Sequence, residues 1–166
     1  DILTVNDTPV WSTAAGSLGT FNEGVAVNVN VTATDEENNA LTYSVISGAF
    51  PGGLSLNSAT GAITGTLSGI NSSSITYSFT INVSDGNNNT SRAFSITVNN
   101  TVTWNTTSGT IATIYDLSRS GYSYSLSATS LGATTTYSIT SGSLPSGLTM
   151  SSAGVISGNA GSVDRK

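Results

Sequence analysis

Apolar and polar residues alternate along most of this chain. The clearest run spans residues 74–84, where every second position is apolar and the positions between are Ser, Thr or Asn. A second run spans residues 25–31, where Val alternates with Ala and Asn. A period of two indicates strands with one face toward a core. No stripe with the helical period persists, and no apolar run approaches the roughly 20 residues of a membrane helix. The pattern predicts an all-β chain.

One stretch of sequence occurs twice. Residues 43–65 read YSVISGAFPGGLSLNSATGAITG, and residues 137–158 read YSITSGSLPSGLTMSSAGVISG. Trp11 and Trp104 extend the match, at a separation of 93 residues (104 − 11). Each copy has short apolar runs separated by Gly and Pro, which predicts short strands joined by tight turns. The repeat predicts tandem two-sheet β-sandwiches, with seven or eight strands in the first.

The repeat also predicts the domain boundaries. Residues 8–100 form a complete sandwich (module one), and residues 101–166 form a second one (module two) that lacks a counterpart of residues 74–98. Residues 1–7 resemble the end of module one, with Val5 matching Val98, and are interpreted as the last strand and linker of a preceding repeat. Two explanations remain open for module two, namely a truncated chain or a strand donated to its open edge by another chain.

The apolar positions of module two are predicted to fill its core, because they match core positions of module one. They are Trp104, Ile111, Ile114, Tyr122, Tyr124, Leu126, Tyr137, Ile139, Leu144, Leu148, Val155 and Ile156. Two of them, Tyr122 and Tyr124, lie on one strand face and raise the alternative of a sugar-stacking platform. Because they align with Val27 and Val29, core filling is the favoured interpretation.

Charge and side-chain chemistry exclude several classes of function. The net charge is −5 with only four basic residues, so no basic patch is available to neutralise phosphates, and nucleic-acid binding is not expected. Cys is absent, so neither disulfides nor thiolate zinc sites can form. His is also absent, which removes the commonest general base, and the acids show no reproducible pairing. The chain is therefore predicted not to be an enzyme.

The repeated motifs resemble the putative-Ig repeat family, which is akin to dystroglycan-type, cadherin-like domains. The residues that carry the resemblance are 33–35, 41–44, 51–56, 60–66, 84–86, 144–148 and 154–158. The resemblance implies tandem Ig-like sandwiches that serve as stalk or spacer modules in bacterial surface proteins and in virion proteins of tailed phages. It also implies an extracellular location.

The same resemblance implies an inter-repeat calcium site. In cadherin-like arrays, a linker Asn-Asp and an acidic pair hold the ion, and Ca²⁺ takes six to eight oxygen ligands. The positions that match are Asn6, Asp7, Asp35 and Glu37, before module one. Glu23 and Asp85 are expected to face the next junction. The alternative is that these acids are solvated turn residues, which accept local hydrogen bonds.

The sequence thus predicts a non-catalytic structural spacer or adhesion module. The favoured setting is a bacteriophage virion, as part of a tail or capsid fibre. The alternatives are a stalk repeat of a bacterial surface adhesin and a carbohydrate-binding module. Expected partners are neighbouring repeats of the same chain, other virion or cell-surface proteins, and host surface glycans. Apart from calcium no cofactor is expected, and neither is insertion into a membrane.

Overall fold

The computed structural model describes residues 5–70, 73–114 and 121–161, which contain fourteen strands and no helix. The all-β prediction is confirmed. The chain folds as two compact units, Asp1–Thr101 with Leu131–Ala133 and Val102–Ser130 with Thr134–Lys166. In the described ranges there is accordingly no helix long and apolar enough to cross a membrane.

Module one contains nine strands in chain order. They are β1 (Val10–Trp11), β2 (Gly16–Asn22), β3 (Ala26–Asn30), β4 (Ala33–Thr34), β5 (Thr42–Gly48), β6 (Leu54–Leu56), β7 (Ala62–Thr66), β8 (Ser74–Ser84) and β9 (Asn89–Asn99). One sheet has the order β2-β9-β8-β5, a second has the order β3-β7-β6, and β1 pairs with β4. All neighbours are antiparallel except β2 and β9, which run parallel.

The core of module one lies between these sheets. The alternating residues of β8 and β9 place Phe79, Ile81, Val83, Phe94, Ile96 and Val98 on the buried face. Trp11 packs edge-on against Phe94 and Tyr43, with ring centroids 5.3 Å and 5.9 Å apart respectively. The period-two pattern of residues 74–84 therefore gives β8 a core-facing side, as the sequence predicts, and β9 extends the same wall of the core.

Two glycines show why the repeated stretch keeps its turns. Gly53 has φ +82°, and a Cβ there would collide with the backbone carbonyl oxygen of Thr66. Its counterpart Gly147 has φ +83° and faces the carbonyl oxygen of Asn159 in the same way. Left-handed backbone combined with a close backbone approach favours glycine at both positions.

Module two contains five described strands. They are β10 (Val102–Trp104), β11 (Tyr122–Ser125), β12 (Ala128–Ser130), β13 (Leu148–Met150) and β14 (Val155–Gly158). β10 pairs with β12, and β11-β14-β13 form a three-stranded sheet. These pairings repeat β1 with β4 and β3-β7-β6 of module one.

The predicted core of module two is only partly present. Leu148 and Ile156 are buried, but Trp104, Ile111 and Ile139 are exposed, so the core prediction is wrong for these three residues. The physical reason is that no described strand of module two takes the place of β8 or β9. Residues 137–142 match β5 in sequence, yet residues 137–140 form no strand. In module one the hydrogen-bonding partner of β5 is β8, and no described strand of module two corresponds to β8.

The predicted strand at residues 1–7 is only partly covered by the structure. Residues 1–4 lie outside the described residues, and residues 5–9 are not in a strand. The assignment of residues 1–7 to a preceding repeat stays a prediction.

Candidate functional site

A group of polar side chains that includes the four predicted calcium ligands lies at the end of module one where the chain enters. It is built from the linker residues Asn6 and Asp7 and from two turns, residues 35–39 after β4 and residues 85–88 between β8 and β9. We call these residues the entry cluster. The structure brings all four predicted calcium ligands, Asn6, Asp7, Asp35 and Glu37, into or next to it.

Asn6 is the centre of the entry cluster. Its Nδ2 donates to Asp85 Oδ2 at 2.8 Å, and its Oδ1 accepts from Asn39 Nδ2 at 2.8 Å. Its backbone carbonyl accepts from Asn88 Nδ2 at 2.9 Å. The side chain and the backbone carbonyl of Asn6 thus join the linker to both turns. The sequence did not single out Asn39 and Asn88, although both lie in polar turns beside a predicted acid.

The predicted acidic pair is held by backbone donors. Asp35 Oδ1 accepts from the backbone N–H of Asn39 at 2.8 Å, while Asp35 Oδ2 is buried and has no hydrogen-bond partner. Glu37 Oε2 accepts from the backbone N–H of Asp7 at 3.3 Å. Asn38, which follows Glu37 in the same turn, has φ +60°, a left-handed conformation that Asn tolerates better than most residues. Asp35 thus accepts a hydrogen bond within its own turn, Glu37 accepts one from the linker, and Asp35 Oδ2 remains unpaired.

Asp85 caps the turn between β8 and β9. Its Oδ1 accepts from the backbone N–H of Asn87 at 2.7 Å and of Asn88 at 2.6 Å. Partial desolvation raises the pKa of Asp85, but the hydrogen bonds from Asn88, Asn87 and the Asn6 amide together lower that pKa below its ordinary value. The carboxylate is thus stabilised in its charged form.

The position of Asp85 corrects the prediction that it faces the next junction. The β8–β9 turn closes at the end of the sheet where Asn6 lies, so Asp85 belongs to the entry cluster. Sequence order could not show this, because β8 and β9 each span the whole sheet and their turn returns to the starting end.

Glu23 lies at the opposite end of β9. Its backbone N–H donates to the carbonyl of Asn99 at 2.8 Å, and its side chain is only 5% exposed. Oε1 accepts from the backbone N–H of Gly69 at 2.8 Å and of Ile70 at 3.3 Å, whereas Oε2 is buried without a partner. Burial of a carboxylate costs free energy unless it is paired, so the two backbone donors are what makes this position tolerable.

The donor chemistry of the entry cluster fits calcium only in part. Asn and Asp oxygens are suitable ligands, and Asp35 Oδ2 is unpaired. However, in residues 5–70, 73–114 and 121–161 no three Asp, Glu, His or Cys side chains are grouped so that they could hold a metal ion. The predicted calcium site therefore stays a prediction, with Asn6, Asp7, Asp35 and Glu37 as the residues that would hold the ion.

Module two presents an apolar cavity of about 530 Å³. Trp104, Ile111 and Leu126 supply its apolar lining, and Thr106 and Ser108 supply polar groups. The Trp104 ring packs against Tyr137 at 5.6 Å, which repeats the contact between Trp11 and Tyr43. The cavity is thus lined by residues whose counterparts form the core of module one, such as Trp11 for Trp104, but in module two this surface is exposed.

The two tyrosines considered as a sugar platform are half-buried. Tyr122 and Tyr124 lie on β11 and pair with Gly158 and Ile156 of β14. The hydroxyl oxygen of Tyr122 is buried and has no hydrogen-bond partner. Their rings are therefore packed in part against module two rather than displayed side by side to solvent.

Comparison with known proteins identifies the family. The sequence profile of the family described as Putative Ig domain matches residues 8–101 and again residues 100–166. The chain belongs to the Putative Ig domain family. It is thus a tandem of Ig-like domains, as the repeated motifs predict. No curated protein sequence matches it significantly.

Solved structures with a similar fold include cadherins, as expected for this Ig-like family. The chain is similar to Drosophila N-cadherin EC1-4 (TM-score 0.50, 13% identity), covering 93% of this chain and 41% of that one. Human protocadherin-24 EC1-2 is also similar (TM-score 0.45, 18% identity), over 95% of this chain and 79% of that one. An endo-fucoidan hydrolase of glycoside hydrolase family 107 matches at TM-score 0.47 and 24% identity, over 93% of this Ig-like chain but only 24% of the hydrolase.

Proposed function

We propose that this chain is a tandem spacer that transmits tension in an extracellular assembly without catalysing a reaction. Membership of the Ig-like family supports a non-catalytic structural or adhesion module. The observation that carries the more specific proposal is the parallel pairing of β2 with β9, the strands nearest the two ends of module one in the larger sheet.

The geometry of this pair determines how module one responds to force. Gly16 pairs with Phe94 and Asn22 pairs with Asn99, so the entering strand and the leaving strand run in the same direction. Tension applied through the chain pulls the start of β2 and the end of β9 in opposite directions along the strand axis. All hydrogen bonds between the two strands then bear the force together. A sandwich of this kind resists extension without a disulfide or a crosslink.

The connection between β1 and β2 is also tied to β9. The guanidinium Nη1 of Arg92 donates to the backbone carbonyl of Thr13 at 2.6 Å. Asn6 attaches the linker itself to the β8–β9 turn, as described above. The entering chain is thus bonded to β9 or its turn at several points, which supports a role in carrying tension.

Single-molecule force spectroscopy tests the proposal. Pulling the full chain from its two ends should unfold module one at high force, because unfolding under load depends on the unfolding barrier. The matched control pulls through engineered cysteines in an Asn22→Cys, Asn99→Cys variant, which separates the β2–β9 pair one bond at a time. The absence of native Cys makes this attachment unambiguous. We expect a several-fold lower force in the control, and equal forces in the two geometries would contradict the proposal.

We place this spacer in a bacteriophage virion, as part of a tail or capsid fibre, with a bacterial adhesin stalk as the second candidate. The low content of Lys and Arg and the Ser-, Thr- and Asn-rich strand faces support the first setting by resemblance. Antibodies against the chain should label purified phage particles at several symmetry-related sites. Labelling of the bacterial cell wall alone would favour the adhesin.

A carbohydrate-binding module is the third candidate, and the exposed ring of Trp104 is the feature that would support it. A glycan array distinguishes this candidate from a spacer. Saturable binding that Trp104→Ala abolishes would favour glycan recognition, whereas an array without binding would favour the spacer.

A further inference from the structure

The two modules share one half of a sandwich, strand for strand. In module one, Trp11 pairs with Ala33 and Val29 with Ile63. In module two, Trp104 pairs with Ala128 and Tyr124 with Ile156. The same register occurs in both modules, so each residue of this half has a known counterpart.

The other half differs between the modules. In module one, the β8–β9 hairpin covers the Trp11 face, and the Phe94 ring lies 5.3 Å from the Trp11 ring. This leaves Trp11 7% exposed. In module two, Trp104 keeps its contact with Tyr137 but is 61% exposed, and it borders the cavity described above. No strand among residues 102–114 and 121–161 covers it.

We infer that the open face of module two binds a β-hairpin with the side-chain pattern of β8–β9, namely the last hairpin of an Ig-like repeat. The evidence for this occupant is in the molecule, because module one shows the equivalent face with such a hairpin seated on it. The occupant brings an aromatic ring to the position of Phe94 and rows of Ile, Val and Phe toward the face. This inference does not depend on the proposed spacer function.

Backbone groups favour a hairpin over other ligands. Residues 109–114 and 137–140 match β2 and β5 in sequence order, but neither segment is in a strand. In module one, β9 pairs with β2 and β8 pairs with β5. A docked hairpin would therefore gain a strand partner on each side, which is recognition by β-augmentation. A glycan would use the Trp104 ring but would leave both segments without a strand partner.

The hairpin of module one itself is the probe. A synthetic peptide of residues 74–99 contains no Trp, so Trp fluorescence of the full chain reports only on the protein. In a Trp11→Phe variant, Trp104 is the sole Trp. Adding the peptide should shift its emission to the blue and reduce acrylamide quenching to the level of the buried Trp11 in a Trp104→Phe variant. A peptide with Phe94→Ser should have no effect.

Matched variants of the protein locate the binding face. Ile111→Ser changes a residue that lines the cavity. It should weaken peptide binding at least about tenfold, which corresponds to a loss of 1.4 kcal/mol in binding free energy. Thr103→Ala changes an exposed residue on the face of β10 opposite Trp104, outside the cavity lining, and should leave binding unchanged. Equal weakening by both variants would overturn the inference.

A fused hairpin covers the case in which the free peptide aggregates. A second copy of residues 74–99, joined to the end of the full chain by a flexible Gly-Ser linker, should protect Trp104 from acrylamide and convert residues 109–114 and 137–140 into strands visible by NMR. Unchanged quenching in this fusion would overturn the inference. So would a blue shift of Trp104 that grows with protein concentration in the absence of any hairpin, because a second copy would then be the occupant.

Discussion

Trp11 and Phe94 pack edge-to-face, with ring centroids 5.3 Å apart and ring planes at 67°. Trp11 belongs to β1, next to β4, whereas Phe94 belongs to β9 in the four-stranded sheet. The contact therefore joins the two halves of the sandwich. Edge-to-face pairs add stabilisation beyond their buried area. Substitution at this contact therefore tests how much the core stabilises module one.

Truncation of Phe94 should destabilise module one strongly. Phe94→Ala removes a ring that is 2% exposed and leaves a cavity beside Trp11, so we expect a loss of about 3–5 kcal/mol in the free energy of unfolding. Chemical denaturation followed by Trp fluorescence measures this loss. Ser95→Ala, at the next position and on the outward face, is the control and should change stability by less than about 0.5 kcal/mol. Similar losses in both variants would contradict the role of the ring.

Removal of the Glu23 side chain should also be costly. Glu23→Ala leaves the backbone N–H groups of Gly69 and Ile70 without their carboxylate partner in a buried site, for an expected loss of about 1–3 kcal/mol. The exposed acid Glu36 provides the control, and Glu36→Ala should be nearly neutral. Urea denaturation measures the free energy of unfolding of both variants and so tests this expectation. A stabilised Glu23→Ala protein would show that carboxylate desolvation outweighs the two hydrogen bonds.

The entry cluster should make stability depend on pH. The folded state holds the pKa of Asp85 below its ordinary value of 3.8. A lowered pKa contributes stability above the unfolded value, and that contribution is lost as pH falls through the folded value. The difference in stability between the wild type and Asp85→Asn should therefore be constant near neutral pH and shrink below about pH 4. A difference that does not change between neutral pH and strong acid would contradict this assignment.

Calcium should raise the melting temperature of module one if the entry cluster holds the ion. Ligands that bind only the folded state stabilise it by mass action. We expect a higher melting temperature in calcium than in chelator, and we expect Asp35→Asn to reduce the difference, because Asp35 carries the unpaired oxygen. Differential scanning calorimetry with magnesium as the matched ion tests this. A melting temperature that is the same in calcium and chelator would dispose of the site.

The entry cluster shows what sequence reasoning could and could not find. Asn6, Asp7, Asp35 and Glu37 are identified by motif, and local turn chemistry explains the bonds of Asp35 and Asp85 to nearby backbone. The bond between Asn6 and Asp85 joins residues 79 positions apart. Only the length and pairing of β8 and β9 bring these residues together. For this reason the prediction from sequence placed Asp85 at the wrong end of the module.

By itself, the sequence determined what repeats locally: the strand period, the left-handed glycines and the Ig-like class. These features depend on side-chain alternation and backbone conformation within a few residues. The tertiary structure decided which of the repeated segments become strands and which aromatic rings are covered. Nearly the same sequence is strand β5 at residues 43–48, but residues 137–140 are not a strand. Likewise, Trp11 is buried and Trp104 is exposed. A strand requires a hydrogen-bonded neighbour and a core residue requires an opposite wall, and in the described residues only module one has β8 and β9 to provide both.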